Sequence, residues 1–497
     1  MAPQQDFDLI VLGGGPSGST LSTLVAKQGH RVLLLEKEKF PRHQLGESLL
    51  PSTIHGICPL LGVKEDVENA GFVRKGGGAF RWGTAKEPWS FSFSKFPNSP
   101  TGYAYQVERA KFDKILLDNA KKRGVDVREQ HTVVDAIEEN GRVAGVRYLD
   151  ESGKEHTARA RFVAETEGHR GKLYAKVGRR EDSQFFQNVA LYGYFHDGKR
   201  LPAPNSGNIL CAAFDEGWFW YIPLSDRLTS VGAVVSKEAG KRIAEGQEQA
   251  FMGYVDRCPL IKDMLSPAKR VTEGMYGEYR VRKDYSYCNT KFWMPGLTLT
   301  GDAACFIDPV FSSGVHLATY SALLAARSYN TLLKGEGGLD ENTLFEEFEF
   351  RYRREFGVFY QFLVLFYDMH RDAGSYFWEA RKVLRAGDDS KDAFIRLVAG
   401  VSSKEEPIFG SDFFREGGGS ELEQMFAHSP EVEGMGVEKK EAPQSDLLSK
   451  FMGFDSEVAN LLILAQLGKK RPQDPALREG GLIPSEDGLH WRRPPAA

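Results

Sequence analysis

The chain has 497 residues, a net charge of −4 and 27% charged residues. Its length exceeds what one compact core holds and predicts roughly two to four structural units. The apolar content of 41% is that of an ordinary globular protein, and the charge balance gives no reason to expect nucleic acid as a partner. No apolar run reaches the roughly 18 residues of a transmembrane segment, and the first residues lack the basic-then-apolar order of a secretory signal.

The cysteines are scattered and odd in number: Cys58, Cys211, Cys258, Cys288 and Cys305. None of them forms a C-x-x-C pair. This usage indicates reduced thiols rather than a disulfide framework or a zinc site. We therefore expect a cytoplasmic protein without a metal.

The N-terminal stretch reads as strand, glycine turn, helix and strand. An apolar run over 7–12 is typical of a buried parallel strand, a helix is predicted over 19–28, and a second strand over 31–35. The turn fits G-x-G-x-x-G, in which the first glycine permits the tight turn, the second admits a pyrophosphate and the third lets helix and strand pack closely. Glu36 follows the second strand, where an acid binds ribose hydroxyls. The alternative is a tight turn without a ligand. The predicted dinucleotide contacts are Gly13, Gly15, Pro16, Ser17, Gly18 and Glu36.

A second motif favours FAD over NAD. The stretch LTLTGDAACF (297–306) is a strand followed by Gly301-Asp302, and apolar residues at helical spacing follow Gly314. It resembles the second flavin-contacting motif of the p-hydroxybenzoate-hydroxylase-like flavoproteins, which implies that Asp302 binds the ribityl chain. QVERAKFD (106–113) resembles the R-x-x-F-D element of that group and implies that Arg109 lies near the phosphates. The alternative for Arg109 is an exposed charge at a helix start, which is the weaker interpretation.

The motifs together resemble those of the flavin-dependent halogenases, in particular the branch that acts on phenols and pyrroles. The resemblance runs from about residue 6 to about residue 380. Besides the glycine turn it is carried by FPRHQLGESLLPST (40–53), GFVRKGGGAFRWG (71–83), GWFWYIP (217–223), SVGAVV (230–235), DYSY (284–287) and GDAACFIDPVFSSGVHLA (301–318). It implies an α/β fold of the p-hydroxybenzoate-hydroxylase-like class. In this fold a Rossmann-type FAD-binding domain carries an inserted β-sheet substrate domain and a C-terminal helical region. Arg42 and Ser48, in the first of these stretches, join the expected FAD contacts.

Two tryptophans stand one residue apart in GWFWYIP. On their own, Trp218 and Trp220 indicate two same-face residues of a strand packed in a core. With Ile222 and Pro223 they match the W-x-W-x-I-P signature of the halogenases. The resemblance implies that this stretch lies beside the flavin and keeps substrate away from its ring.

The implied reaction passes through a lysine. FADH2 and O2 would oxidise chloride or bromide to hypohalous acid, which would travel through an internal passage to Lys75, the residue that matches the family lysine. Burial would favour the neutral amine near pH 7. The alternative is a surface lysine in a glycine-rich turn, and Arg74 and Lys37 are rival cations without a motif match. Since only one complete G-x-G-x-x-G is present, we expect a separate NAD(P)H-dependent flavin reductase to supply FADH2.

The halide is expected at a helix start. Small residues there expose backbone N–H groups to an anion. Ser-Ser-Gly is also an ordinary helix N-cap, and both interpretations can hold at once. The expected halide donors are Ser312, Ser313, Gly314 and Val315, of which Gly314 also belongs to the flavin contacts.

Two departures from the family pattern bear on the substrate and the cofactor. The tryptophan-acting branch has a glutamate before its Ser-Thr-Gly stretch, and Phe311 stands at that position here. We therefore expect a phenolic or pyrrolic natural-product intermediate, free or tethered to an acyl or peptidyl carrier protein. Glu165, Thr166 and Glu167 replace most of a D-A-S/T-G stretch, which leaves FAD affinity open, with Glu165 as a possible substitute for the aspartate.

Three regions are expected from the motif positions. The FAD-binding domain is discontinuous, the β-sheet domain is inserted in it, and the C-terminal region is mostly helical with a mobile loop. Their expected ranges are 1–75, 100–175 and 270–335 for the first, 76–99 and 180–270 for the second, and 336–497 for the third, with the loop at about 403–447. Aromatic residues at helical spacing over 341–370 predict one packed face, and the alternative places some of these rings in a substrate pocket.

Two other functions are compatible with the sequence. A single-component NADPH-dependent hydroxylase, or a reductase of the geranylgeranyl-reductase type, uses the same fold, but Lys75 with the paired tryptophans argues against both. A flavin-binding protein without catalysis is the third candidate, supported only by the altered stretch at 165–167.

Overall fold

The computed structural model covers most of the first 368 residues and a short C-terminal part. The residues it describes are 6–82, 88–93, 101–283, 286–335, 337–368, 458, 461–462, 476–478 and 480–495. The loop predicted at 403–447 lies outside them.

The strands are short apart from those of the two large sheets. They are β1 (Phe7–Leu12), β2 (Val32–Glu36), β3 (Val73–Lys75), β4 (Gly77–Arg81), β5 (Trp89–Ser92), β6 (Ala104–Gln106), β7 (Asp126–Glu129), β8 (Thr132–Glu139), β9 (Arg142–Leu149), β10 (Glu155–Glu165), β11 (Arg180–Asp182), β12 (Asn188–His196), β13 (Ile209–Phe214), β14 (Gly217–Pro223), β15 (Leu228–Ser236), β16 (Lys269–Arg270), β17 (Arg280–Lys283), β18 (Tyr287–Asn289), β19 (Trp293–Met294), β20 (Leu297–Leu299), β21 (Cys305–Phe306), β22 (Ile483–Pro484) and β23 (Trp491–Arg492).

The helices include two long ones that follow the second flavin motif. They are α1 (Pro16–Ala26), α2 (Cys58–Leu61), α3 (Lys64–Glu68), α4 (Arg109–Lys122), α5 (Tyr174–Val177), α6 (Gln247–Asp256), α7 (Pro259–Met264), α8 (Ser313–Lys334) and α9 (Glu341–Asp368). A π-helical segment, Ser52–Ile57, precedes α2.

The first large sheet is of the Rossmann type. Its order is β19-β20-β10-β1-β2-β7, and its central strands β20, β10, β1, β2 and β7 run parallel. All five residues of β2 are buried, as expected of a parallel strand covered on both faces. Helices α1, α4 and α8 pack together over this sheet, which confirms the expected fold class.

The helix after the glycine turn begins earlier than predicted. It starts at Pro16, not at residue 19, and ends at Ala26. Proline is well tolerated at the first position of a helix because an N–H there has no partner inside the helix. The earlier start brings the helix N-terminus directly onto the glycine turn.

The second large sheet lies beside the first and is mainly antiparallel. Its order is β16-β12-β15-β14-β13-β4-β5, with β17 also paired to β12. The boundary expected at residue 270 differs from this arrangement, because β17 belongs to the second sheet. The sequence of β17, Arg-Val-Arg-Lys, has no apolar alternation, so its strand pairing is set by β12.

The described C-terminal part includes a short hairpin as well as helix. Helices α8 and α9 pack against each other, and the β22–β23 hairpin lies on α8. The indole N–H of Trp491 donates to Ser328 Oγ at 3.1 Å, and its backbone N–H donates to Thr331 Oγ1 at 2.8 Å. Trp491 therefore anchors the hairpin to α8 through both its side chain and its backbone. None of the helices in the described ranges is long and apolar enough to cross a membrane.

Candidate active site

A cavity of about 520 Å³, here called the cofactor cavity, opens beside the glycine turn. It is bounded by the carboxyl ends of β1 and β2, the N-termini of α1 and α8, and one face of β14. The predicted site residues that line it are Gly13, Gly15, Pro16, Ser17, Glu36, Arg42, Ser48, Arg109, Trp220, Ile222, Asp302, Ser312, Gly314 and Val315. The fold thus brings most of the sequence-predicted residues to one place.

Two of the three motif glycines are required by close packing. Gly13 has φ of +100°, and a Cβ on it would lie 3.0 Å from the Cα of Glu167. A Cβ on Gly18 would collide with the carbonyl oxygen of Gly13. At Gly15 the nearest atom to an added Cβ is a guanidinium nitrogen of Arg42, 3.6 Å away, so here the backbone faces the cavity.

Glu36 supports the glycine turn from the end of β2. Its Oε2 accepts the backbone N–H of Gly14 at 2.6 Å, and its Oε1 accepts that of Glu38 at 2.8 Å. The carboxylate is therefore held in place by backbone donors while it lines the cavity. Each oxygen retains a second lone pair for a ribose hydroxyl.

Arg109 is buried rather than an exposed charge at a helix start. Its guanidinium forms two hydrogen bonds with Asp113, at 2.7 and 2.9 Å, and a third with the carbonyl of Leu45 at 2.6 Å. Arg42 donates to the same carboxylate at 2.9 Å. The Asp113 side chain thus aligns two guanidinium groups at the edge of the cavity.

These features fit a dinucleotide. The start of α1 exposes N–H groups beside the two arginines, an arrangement that binds phosphates. Within the part of the chain that the structure describes, the buried hydroxyl of Ser48 has no hydrogen-bond partner, and this residue lines the cavity. A bound cofactor would supply that partner. The residues that would hold the phosphates are Gly15, Arg42 and Arg109, with Ser48 beside them.

Asp302 lies at the second wall of the cavity, after β20. Gly301 has φ of +58°, and a Cβ there would come within 3.2 Å of Ser17. Burial raises the pKa of Asp302, whereas the positive charge of Arg282 is the largest of the influences that oppose that rise. A carboxyl in this setting hydrogen-bonds hydroxyl groups of the kind that a ribityl chain carries.

The three residues of the altered stretch at 165–167 lie in different environments. Thr166 and Glu167 line the cavity, and Thr166 Oγ1 donates to the carbonyls of Leu12 and Gly13 at 2.7 and 2.9 Å. Glu165 is fully buried at the end of β10, and burial, together with the charge of Glu167, raises its pKa to about 8. Thr166 therefore stabilises the glycine turn through its two hydrogen bonds. The carboxyl group of Glu165, with its raised pKa, is mainly protonated at pH 7.

Lys75 is a buried amine at the end of β3, only 2% exposed. Its Nζ donates to the carbonyl oxygen of Leu49 at 2.9 Å and lies 3.5 Å from Ser312 Oγ. Burial lowers the pKa of Lys75 to about 7, so a substantial fraction is neutral near pH 7. The rival Arg74 is exposed and stacks on Tyr103 at 4.0 Å.

The start of α8 offers fewer free donors than predicted. Ser312 has φ of +59°, and its own N–H donates to the Pro309 carbonyl at 3.0 Å. Its side chain makes no capping hydrogen bond to the helix, so the ordinary N-cap alternative is not what the structure shows. Ser313, Gly314 and Val315 form the first turn of α8, where N–H groups have no partner inside the helix. The proposed halide donors therefore narrow to these three residues.

The paired tryptophans share one face of β14, as strand geometry requires. Trp220 and Ile222 line the cavity, and Trp220 donates its indole N–H to Ser230 Oγ at 3.2 Å. Trp218 lies farther along the strand and donates its indole N–H to the hydroxyl of Tyr367, at the end of α9. Pro223 ends the strand. The two indoles therefore have different surroundings: Trp220 lies at the cofactor cavity and Trp218 at α9.

Beyond Lys75 lies a cluster of rings, here called the aromatic wall. The Lys75 Nζ is 5.3 Å from the ring centre of Phe93, and the rings then follow one another at centroid distances from 4.5 to 6.0 Å. Its members are Phe80, Trp82, Phe91, Phe93, Phe311 and Phe366. Phe311 thus lies in an apolar environment, and Phe366 comes from the aromatic-rich helix α9.

The sequence reasoning missed two buried polar networks around the start of α8. Asp308 accepts a hydrogen bond from Tyr367 at 3.0 Å, and burial raises the pKa of Asp308 to about 7. His316 bridges Ser52 and Glu355, at 2.9 Å on each side. Asp308 and His316 both belong to the motif GDAACFIDPVFSSGVHLA (301–318). Their presence in this motif was the only sequence signal for a role at the site. Their partners come from distant segments that no local spacing identifies.

Comparison with known proteins identifies the family. The protein-family model described as tryptophan halogenase matches residues 8–101 and 95–419. The chain belongs to the flavin-dependent halogenase family. It is 35% identical over 405 residues to a tryptophan 2-halogenase of Chondromyces crocatus, covering 79% of this chain and 75% of the relative. It is 33% identical over 363 residues to the flavin-dependent halogenase gsfI of Penicillium aethiopicum, covering 68% of this chain and 66% of the relative.

A solved structure supports the same assignment. The myxobacterial chondrochloren halogenase CndH, described as a variant of FAD-dependent halogenases, superposes with a TM-score of 0.78 and 55% identity. The match covers 98% of this chain and 100% of that one. The expected enzyme class and cofactor are confirmed: members of this family are oxidoreductases that use FAD as FADH2 with a halide and O2. They generally draw FADH2 from a separate flavin reductase.

Proposed function

We propose that this halogenase oxidises chloride or bromide to hypohalous acid and passes the halogen by way of Lys75 to an electron-rich phenolic or pyrrolic ring. The observation that carries the proposal is the position of Ser312. This residue lines the cofactor cavity, and its hydroxyl is 3.5 Å from the Lys75 amine. A single side chain therefore separates the place where oxidant forms from the group that receives it. FAD, when bound in reduced form, supplies the two electrons that activate O2.

The overall reaction consumes ArH, X⁻, O2, FADH2 and H⁺ and yields ArX, FAD and two H2O. At Lys75, the neutral amine and hypohalous acid give a haloamine and water. The haloamine then delivers its halogen to the ring, and the ring proton returns the nitrogen to the amine. The alternative is that the ammonium form of Lys75 hydrogen-bonds hypohalous acid and so polarises it. Both routes need a Lys75 side chain shielded from bulk water, and the same burial favours the neutral form that the haloamine route uses.

The substrate class rests on Phe311 and the aromatic wall. Phe311 is 3% exposed and packs on Phe80 and Phe366 at 6.0 and 4.8 Å, so no carboxylate stands at this position to remove a ring proton. A phenol or pyrrole needs less help of that kind because its ring is electron-rich. The similarity to CndH, a chondrochloren halogenase, is consistent with a natural-product substrate, free or carrier-tethered.

Tryptophan is the second candidate substrate. The 35% identity to a tryptophan 2-halogenase favours it. It is distinguished from the first by the same assay, in which tryptophan competes with phenols and pyrroles.

The test is a halogenation assay with Lys75→Ala. Wild type, an external flavin reductase, NADH and chloride or bromide are incubated with free and carrier-linked phenols and pyrroles and with tryptophan, and products are read by halogen isotope masses. Loss of an acid–base or nucleophilic group typically costs about 10²- to 10⁴-fold in rate, so Lys75→Ala should consume NADH through the reductase and yield almost no halogenated product.

Arg74→Ala is the matched control, since Arg74 is the neighbouring exposed cation. It should halogenate like wild type. Full halogenation by Lys75→Ala would remove Lys75 from the mechanism. Oxygen insertion by wild type would instead identify a hydroxylase, and preferential halogenation of tryptophan would overturn the proposed substrate class.

A further inference from the structure

Cys288 and Cys305 face each other across two antiparallel strands. They are direct register partners of β18 and β21. The flanking N–H of Asn289 donates to the Ala304 carbonyl at 3.0 Å, which places the cysteines at the alternate, non-hydrogen-bonded position. Residues at that position have Cα atoms about 4.5 Å apart. Disulfides span Cα separations of about 4.4–6.8 Å, so the register of the two strands brings the backbone of the two cysteines to a separation that a disulfide can bridge.

The two thiols are chemically unequal. Both are fully buried, and each affects the pKa of the other. Arg353 directs a guanidinium N–H at the Cys288 sulfur, 3.5 Å away. Burial raises the pKa of Cys288, but the hydrogen bond from Cys305 and the charge of Arg353 outweigh it and lower the value. Burial raises the pKa of Cys305. Since the thiolate is the reactive form, Cys288 is the nucleophile and Cys305 the resolving thiol.

The pair lies directly behind a wall of the cofactor cavity. Cys305 stands between Asp302 and Phe306 in the chain, and both of these residues line the cavity. Tyr352 donates its hydroxyl to the Gly301 carbonyl at 3.1 Å, and it lies close enough to Cys305 for each group to affect the pKa of the other. An oxidant formed in the cavity therefore has one layer of residues to cross, and a change at Cys305 reaches the Gly301-Asp302 motif through Tyr352.

We propose that Cys288 and Cys305 form a redox-active dithiol that hydrogen peroxide released in the cofactor cavity oxidises to a disulfide. The peroxide comes from oxygen that is reduced in the cavity without transfer to a halide. The Cys288 thiolate attacks one peroxide oxygen, the O–O bond breaks, and a sulfenic acid and hydroxide form. The Cys305 sulfur then displaces the sulfenic hydroxyl, giving the S–S bond and water. In sum two thiols and one H2O2 give one disulfide and two H2O, and external thiol restores the dithiol. This inference does not depend on the substrate or on Lys75.

The test maps disulfides in the holoenzyme. FAD-loaded protein is incubated with reductase, NADH and O2 without halide, or with added hydrogen peroxide, then alkylated in denaturant and digested with trypsin without reductant. Cleavage after Lys283, Lys291 and Arg327 places the two cysteines in separate peptides, 284–291 and 292–327. These peptides should appear joined, with the mass of the pair less two hydrogens, and dithiothreitol should release them. Cys58 and Cys258 should remain alkylated throughout.

Variants separate a dithiol from general oxidation. Cys288→Ser and Cys305→Ser should each abolish the joined peptides, whereas Cys258→Ser, another buried cysteine outside the pair, should leave them unchanged. Alkylation of both cysteines after prolonged peroxide treatment of wild type would overturn the proposal. Oxidation of either cysteine to a sulfinic acid without the joined peptides would also overturn it. The wild-type result decides the matter even if a serine variant does not fold.

Discussion

At the scale of single residues, the burial of Lys75 has a cost in folding free energy. Lys75 is 2% exposed, so its charged form loses most of its hydration. Among the described residues, the hydrogen-bond acceptors of its amine are a carbonyl and a hydroxyl, and no carboxylate offsets this desolvation penalty. Such an arrangement destabilises the fold and is typical of a functional site. Its energetic signature is a pH dependence of stability.

That pH dependence has a definite sign. The pKa of Lys75 is about 7 in the folded chain against an ordinary 10.5, so between these values the unfolded chain binds more protons than the native one. Stability therefore gains from Lys75 as pH rises through this window, with a limiting slope of about 1.4 kcal/mol per pH unit. We predict that Lys75→Met is more stable than wild type at pH 7 and that the difference shrinks towards pH 10, as measured by urea unfolding.

The exposed Lys241 provides the control, with 72% of its side chain accessible. Lys241→Met should differ from wild type by an amount that does not vary over this window. A difference between Lys75→Met and wild type that stayed constant from neutral to alkaline pH would show that the amine is charged in the folded protein.

At the scale of elements, the β22–β23 hairpin fixes the long helices that build the site. Trp491 is 3% exposed, and the guanidinium groups of Arg327 and Arg351 lie 5.0 and 4.8 Å from its ring. Arg327 Nε also donates to the Gly488 carbonyl at 2.7 Å. The same helix α8 begins at the cofactor cavity, so the hairpin supports the site from the opposite end of that helix.

Truncating this anchor should destabilise the protein strongly. Replacement of a large buried aromatic side chain by alanine typically costs about 3–5 kcal/mol, and we predict that range for Trp491→Ala in denaturant unfolding. Arg492→Ala, at an exposed neighbouring position, should stay within about 0.5 kcal/mol of wild type. Equal effects of the two substitutions would show that the hairpin does not stabilise α8.

Elements that residue spacing within one segment specifies were predictable from the sequence. Elements that depend on contacts between distant segments were not. The glycine turn and the alternating face of β14 follow from spacing alone, because a turn and a strand impose their own periodicity. The start of α1 at Pro16 was missed although proline is a helix-start signal. The Cys288–Cys305 pair and the bridge by His316 depend on which segments the fold brings together, and no single segment encodes that.

At the scale of the whole molecule, a chain of net charge −4 concentrates cations at one cavity. The cationic residues that line it are Lys37, Arg42, Arg109, Arg170, Arg280 and Arg282. Several acids line it as well, and Lys37 pairs with Glu167 at 3.6 Å. Five guanidinium groups thus face the cavity beside five carboxyl groups, and the guanidinium groups of Arg42 and Arg109, next to the start of α1, favour a ligand that carries phosphates.

Cofactor binding should therefore depend on the pyrophosphate. We predict that FAD at about 100 times its Kd raises the free energy of unfolding by about 2.7 kcal/mol, read by denaturant titration. Riboflavin, which has the ring and ribityl chain but no phosphate, should bind at least about tenfold more weakly, since a hydrogen bond to a charged group contributes about 1.5–3 kcal/mol. Equal affinity for FAD and riboflavin would exclude the arginines as phosphate ligands.

The cofactor cavity also constrains how the protein folds during its synthesis. Its walls join the glycine turn, among the earliest residues of the chain, to the start of α8, which follows residue 312. A nascent polypeptide cannot complete this cavity until the residues through the start of α8 have left the ribosome, and contacts so far apart in sequence form slowly. The apolar strands β1 and β2 each lack one neighbour until β10 and β7 have been synthesised, so the edges of this two-strand unit stay open to aggregation until those two segments pair with it.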